Sequence, residues 1–343
     1  MEIKTGLPLS FSEIGQKDNQ EDFVFPSQAE VSKEDRVFIL CDGMGGHSHG
    51  EVASRTVATA LGQYMKWHYP SDGVLTKALF NDGLKYAYQQ LNLVDDGAPK
   101  KMGTTLTFVC FHKDGCFCAH IGDSRIYIVR PSEKRIVYRS EDHSLVNDLL
   151  RAGELTPEEA ASYPHKNVIT RAMQPNKEKP AKAEIRNIQD IQSGDYVFQC
   201  CDGVLENLTD DKLVDILSDP ATYDVQKLAA IKNVCFGKTK DNYTCYLTRI
   251  MSVTNDVDDA ESSTISAKPE SEDDKCDAPA NLVPSQNKPQ SILTRPFGIK
   301  AKGWVWLIGI FVLLLLVTLA VRYAYKRGQQ SKQDTVEQLV SPE

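Results

Sequence analysis

Acidic residues stand at or beside turn signals in well-separated stretches of this 343-residue chain: Glu21-Asp22 in GQKDNQED, Asp42 in CDGMGG, Asp123 in GDSR, Asp202 in CDGV and Asp241 in KDNYT. Asp followed by Gly has a plain reading as a favoured turn, because Gly admits positive φ and Asp bonds its own backbone. Two features of the set point further. Asp42 and Asp202 each follow an apolar run ending in Cys, as if delivered to the same edge of a sheet. The glycines beside them let backbone approach a ligand closely. Carboxylates gathered at one place repel one another and are driven toward protonation; a bound cation reverses that logic. All-oxygen donors without His or Cys select hard ions such as Mg²⁺ or Mn²⁺ over zinc. A pair of such ions can lower the pKa of a shared water and clamp a phosphoryl group for in-line attack.

The elements that must position these residues read as mixed α and β. Arg36–Cys41 is a short apolar run ending at a turn, hence a buried strand. After Gly50, the residues Val52, Ala53, Val57, Ala60, Leu61 and Tyr64 recur at helical spacing. Ser71–Val94 reads as a second helix, weakened by Gly73 and Gly83. Thr104–Phe111 and Phe117–Ile121 flank the hairpin turn Lys113-Asp114-Gly115, and Ile126–Val129 continues the sheet. Thr156-Pro157-Glu158-Glu159 is a helix start, with Thr as N-cap, Pro at the first position and Glu closing a capping box. Tyr196–Cys201 and Tyr243–Ile250 are further strands, separated by helices near Asp210–Leu217 and Val225–Val234.

Composition divides the chain into regimes. Hydrophobic residues make up 41% and charged residues 25%, enough apolar material for a real core. The net charge of −8 offers no basic face for nucleic acid. Nine scattered cysteines show no zinc spacing and read as free thiols of a reducing compartment. The start, MEIKTGLPLS, lacks the basic and apolar pattern of a secretory signal. Residues 1–250 read as the folded domain, and 251–302 as a disordered linker rich in Asp, Glu, Ser and Pro. Trp304–Val321 carries no charge, so residues 303–321 read as one transmembrane helix, followed by a polar tail at 322–343. Trp304, Trp306, Tyr323 and Tyr325 suit the two interfaces of a bilayer. Positive residues flank both ends, so orientation rests on the absent signal, which favours a single-pass protein with a cytoplasmic catalytic domain.

The ordered series GQKDNQED, DGMGGHSHGE, MGTTL, GDSR, EDHSLVNDLLRAGELTPEEA, CDGV and DN resembles the protein phosphatase 2C family across about residues 10–250. Each motif alone is weak; their order and separations are specific. The resemblance implies an α+β fold: a four-layer α-β-β-α sandwich of two mainly antiparallel sheets flanked by helices, with metals at one end. It implies hydrolysis of phosphoserine and phosphothreonine in proteins, the substrates of Ser/Thr kinases, by water activated on two Mn²⁺ or Mg²⁺ ions. By the same resemblance Asp42 bridges both metals and the Gly43 carbonyl completes one site. Glu21 binds the second metal, Asp22 holds water on it, and Asp202 and Asp241 complete the first. Asp123 with Asp202 builds a weaker third site, and Asn242 orients Asp241. Gly103, Thr104 and Thr105 support the strand behind the metals, and residues 143–173 form a flap that influences substrate choice.

Departures from the family pattern mark where that reading is open. Lys17 stands where many members place a phosphate-binding Arg, and it cannot grip a phosphate bidentately; it reads equally as a solvated loop charge. Met44 replaces a His proposed elsewhere as general acid, leaving His47 and His49 as neighbours with that capacity. Arg171 lies in RAMQP rather than a Gly-containing ending, and Cys201 replaces a frequent Ser as a packing change. A catalytically weak, membrane-anchored phosphoprotein-binding relative and a phosphatase of small phosphorylated molecules remain alternatives at this point.

Overall fold

The apolar runs of the sequence become strands because alternate residues find two different cores. A computed structural model describes residues 1–254, apart from 46–48, 100, 162 and 165–167. The first half runs β1 (Glu2–Thr5), β2 (Leu9–Glu13), β3 (Asp22–Phe25), β4 (Val37–Met44), α1 (Gly50–His68), α2 (Lys77–Leu93) and β5 (Gly103–Thr104). It continues through β6 (Leu106–His112), β7 (Gly115–Ile121), β8 (Arg125–Arg130) and β9 (Arg135–Arg139). The second half holds α3 (Leu145–Ala152), α4 (Pro157–Ala161), β10 (Glu184–Ile188), β11 (Tyr196–Cys200), α5 (Asp202–Leu205), α6 (Asp210–Ser218), α7 (Asp224–Cys235) and β12 (Tyr243–Thr254).

Two antiparallel sheets result. One is ordered β1-β12-β11-β8-β9, with β2 also on β12; the other is β10-β7-β6-β4-β3, with β5 on β4. On β4 the two-residue period is visible: Val37, Ile39 and Cys41 meet Val57, Leu61 and Phe80 of α1 and α2, whereas Phe38 faces the inter-sheet core with Val109, Ile128 and Tyr246. On the outer face of the other sheet, Phe198, Cys200 and Leu247 pack under Leu213, Leu217 and Ile231 of α6 and α7. Helix, sheet, sheet and helix therefore form four layers, as the resemblance implies.

Some expectations are corrected. The stretch Ile126–Val129 does not continue the hairpin's sheet. After Gly122, at φ +104°, the chain crosses over and β8 joins β11 in the opposite sheet. Helix α2 starts at Lys77, not Ser71, because the Thr76 side chain accepts the Leu79 N–H as its N-cap. The last strand runs to Thr254 because its end pairs with β1, Glu2 opposite Thr254. The capping box forms as read: Glu159 accepts the Thr156 N–H at 2.8 Å, and Thr156 Oγ1 accepts the Glu159 N–H at 3.3 Å. Among the described residues eight cysteines are buried and unbridged. Among the described residues no helix is long and apolar enough to cross a membrane; the linker and the segment 303–321 lie outside those residues.

Candidate metal centre

Asp42 sits near the end of β4 and Asp202 opens α5 directly after β11. These strands belong to different sheets, so the expectation of one shared sheet edge is corrected: the two carboxylates meet across one end of the sandwich. Burial and the neighbouring carboxylates of Asp22, Asp202, Asp123 and Asp241 push the Asp42 carboxyl well above its ordinary range. Its backbone is held from both sides. The Asp42 N–H donates to Thr105 Oγ1 at 3.0 Å, and its carbonyl accepts from the Thr105 N–H at 2.8 Å and from Thr104 Oγ1 at 2.9 Å. Gly103, Thr104 and Thr105 thus act as structural supports.

Glu21 arrives from the loop before β3, fixed by Asn242. The Glu21 N–H donates to Asn242 Oδ1 at 2.8 Å, while Asn242 Nδ2 donates to the carbonyls of Ile14 and Asn19. The Asn242 N–H in turn holds Asp241 Oδ1 at 2.8 Å. Asn242 therefore orients its neighbour, as expected, and also ties the 14–21 loop to β12. Close packing here demands glycine: a Cβ on Gly43 would lie 2.2 Å from the Gly50 carbonyl oxygen, and one on Gly203 2.0 Å from that of Asn242.

Lys17, Glu21, Asp42, Gly43, Asp202 and Asp241 line one cleft of about 750 Å³, together with Met44 and with Ile169 of the flap region. Asp22 and Asp123 lie behind its surface. Asp22 is directly across from Asp42 in the β3–β4 register. Burial raises Asp22 and Asp123 each to about 7, with nearby carboxylates adding to the effect. Burial likewise raises Glu21 and Asp202. Asp22 Oδ1 and Asp123 Oδ1 are buried with no hydrogen-bond partner among the described residues. Unpartnered carboxylate oxygens and crowded like charges are what a cation would relieve, and the oxygen donor set fits Mn²⁺ or Mg²⁺.

Lys17 is neither solvated alone nor free. Its Nζ lies 2.8 Å from Asp241 Oδ1, and that hydrogen bond holds its ammonium above the ordinary range. His49 faces Asp96 at 3.4 Å, and His47 lies outside the described residues. Cys201 carries more than packing. Its buried Sγ donates to Asp22 Oδ2 at 3.2 Å and accepts the Thr244 N–H at 3.1 Å. Sequence reasoning missed this partnership because it joins residues 179 positions apart.

His120, His143 and Glu184 form a second cluster. The two imidazoles stack within 5° of parallel, 4.6 Å apart, so no ion can lie in both ring planes. They are held by other partners: His143 Nδ1 accepts the Gly122 N–H at 3.1 Å, its Nε2 lies 3.2 Å from Arg171 Nη1, and His120 Nε2 bonds the Glu141 carbonyl at 2.8 Å, while the His143 carbonyl accepts from the Thr170 N–H. Burial lowers both rings, His143 to about 4. The pair braces the GDSR turn against the flap.

Comparison with known proteins agrees with this architecture. The sequence profile described as protein phosphatase 2C matches residues 12–226. The protein phosphatase PhpP of Streptococcus pneumoniae is 35% identical over 213 residues, covering 60% of this chain and 82% of that one. The crystal structure of the Mycobacterium tuberculosis serine/threonine phosphatase PstP/Ppp superposes with a TM-score of 0.58 at 28% identity, over 71% of this chain and 98% of that one. The PstP catalytic domain in complex with two manganese ions gives 0.58 at 26% identity, over 73% and 100%. A two-sheet sandwich with acidic turns at one end, matched in profile over more than half its length, places this chain in the protein phosphatase 2C family.

Proposed function

We propose that this chain dephosphorylates phosphoserine and phosphothreonine in proteins at the cleft formed by Glu21, Asp42, Gly43, Asp202 and Asp241. The observation that carries the reading is the gathering of carboxylates from both sheets, with buried oxygens left without partners. Asp42 would be shared between two ions, with Glu21 on one side and Asp202 and Asp241 on the other, and Asp123 would serve a third. Such ions supply an activated water and neutralise phosphoryl oxygens. The chain's own groups do the rest. Asp22, gripped at Oδ2 by the Cys201 thiol, holds its buried and unpartnered Oδ1 opposite Asp42, where it would accept a hydrogen bond from water held by the ions. Lys17, on the cleft wall, can neutralise a phosphoryl oxygen as a point charge. Met44 offers no proton to the leaving oxygen. Turnover on phosphopeptides that requires Mn²⁺ or Mg²⁺ and stops with chelator is the expected result; hydrolysis unaffected by chelator overturns the reading.

Cys201 gives a finer test. A thiol is a weak donor, so losing its hydrogen bond to Asp22 costs about 1 kcal/mol, and Cys201→Ala should weaken Mn²⁺ binding about fivefold by calorimetry. Cys201→Ser should restore it. Equal affinity in all three proteins would remove Asp22 positioning from the argument.

The uncharged segment 303–321 supports attachment to a membrane through one helix, with 1–254 as the catalytic domain, 255–302 as tether and the enzyme facing the cytoplasm. Removing residues 303–343 should move the protein from the membrane fraction to the supernatant with its phosphatase activity retained. A truncated protein that still sediments with membranes overturns the anchor.

A further inference from the structure

Beside the catalytic cleft lies a second one of about 600 Å³, lined by Thr170, Arg171, Gln174, Lys177, Lys179 and Lys182 among others, with no carboxylate in its wall among the described residues. Gln174 and Lys177 line both clefts, so the two are continuous. Lys177, Lys179 and Lys182 are exposed, and none is paired with a carboxylate among the described residues. Arg171 is engaged elsewhere, its Nη1 3.2 Å from His143 Nε2. Glu178 interrupts the lysines in sequence yet does not line the cleft. On a chain of net charge −8, three lysines without a carboxylate partner among the described residues repel one another around one cavity.

The segment is also held in place. Asn176, at φ +54°, takes a left-handed turn secured by two bonds to the end of α2 and the loop just after it: its N–H donates to Asn92 Oδ1 and its Nδ2 to Asp95 Oδ2, each at 2.8 Å. Five residues on, the Ala181 carbonyl accepts from Tyr88 Oη at 2.9 Å. Both ends of the lysine segment are thus tied to one helix, which lowers the entropy lost when an anion is bound.

We propose that Lys177, Lys179 and Lys182 dock an acidic stretch of the phosphoprotein substrate, carboxylate or phosphate, next to the phosphate being removed. This deepens the phosphatase reading and rests on it. The lysines act on recognition rather than chemistry, so their contribution falls in KM and weakens with ionic strength. The test compares two phosphothreonine peptides that differ only in flanking Glu or Asp against Gln or Asn, with p-nitrophenyl phosphate as a substrate too small to reach the second cleft. The full chain should prefer the acidic peptide about fivefold through KM, and 0.5 M salt should abolish the preference. K179E/K182E should lose that preference and leave p-nitrophenyl phosphate turnover unchanged. Equal KM for the two peptides on the wild type, or a preference kept by the variant, overturns the docking proposal while the phosphatase assignment stands. Failure to hydrolyse either peptide overturns the assignment itself, and the docking proposal with it.

Discussion

Asp42→Ala and Asp202→Ala should each lower kcat by a factor of about 10³ or more while making the metal-free protein harder to melt. The two effects have one cause. Burial is the main cost of an ionised Asp42, and repulsion from the carboxylates of Asp22, Asp202, Asp123 and Asp241 adds to it. Removing one member relieves the others, so without metal the variant gains about 1–2 kcal/mol, or roughly 2–6 °C in a domain of this size. With saturating Mn²⁺ the order reverses, because the wild type gains binding free energy that the variant lacks. Asp42→Asn separates charge from cavity, since it keeps the side-chain shape and should show the same pair of effects. Kinetics on a phosphopeptide and calorimetric melts with and without Mn²⁺ supply both numbers. Wild-type turnover in either Ala variant would refute the assignment of these carboxylates.

The second large effect is on pH. In the metal-free fold Asp22 and Asp123 titrate near 7, against about 3.9 in an unfolded chain. Between pH 4 and 7 the folded state therefore holds protons that the unfolded state has released. Stability falls as pH rises through that window and levels off above about 7. The loss should be on the order of several kcal/mol, since each pKa unit corresponds to about 1.4 kcal/mol. Bound divalent ions stabilise the ionised carboxylates and should flatten or reverse the slope. Urea unfolding at intervals from pH 4 to 8, in chelator and in Mn²⁺, measures the two slopes. Parallel curves would mean that the ions do not sit on these carboxylates.

Much of the centre was legible because its residues lie at strand ends next to turns, where motif and turn chemistry coincide. Asp42 and Asp202 were found from apolar runs ending in Cys-Asp-Gly. The allocation of strands to sheets was not legible. Ile126–Val129 is as apolar as Phe117–Ile121, and alternation records burial without recording which sheet provides it. The strands β1, β2, β3, β9 and β10 are four or five residues long and only partly buried, too short to show a period. Cys201 escaped for another reason. Its bond to Asp22 is a tertiary contact, and no local pattern announces a thiol reaching across the sandwich. Asn242 was recognised beside Asp241, but its grip on the distant 14–21 loop was not.

The pairing of β12 with β1, β2 and β11 also sets a timetable for synthesis. The first two strands leave the ribosome about 240 residues before the strand that receives them, and Asp241 travels with that late partner. At ordinary elongation rates of about 5–20 residues per second, a nascent chain waits ten seconds or more with those edges unmatched. A nascent chain that has not yet made β12 lacks Asp241, so the carboxylate cage closes only when that late strand swings in beside the earliest-made part.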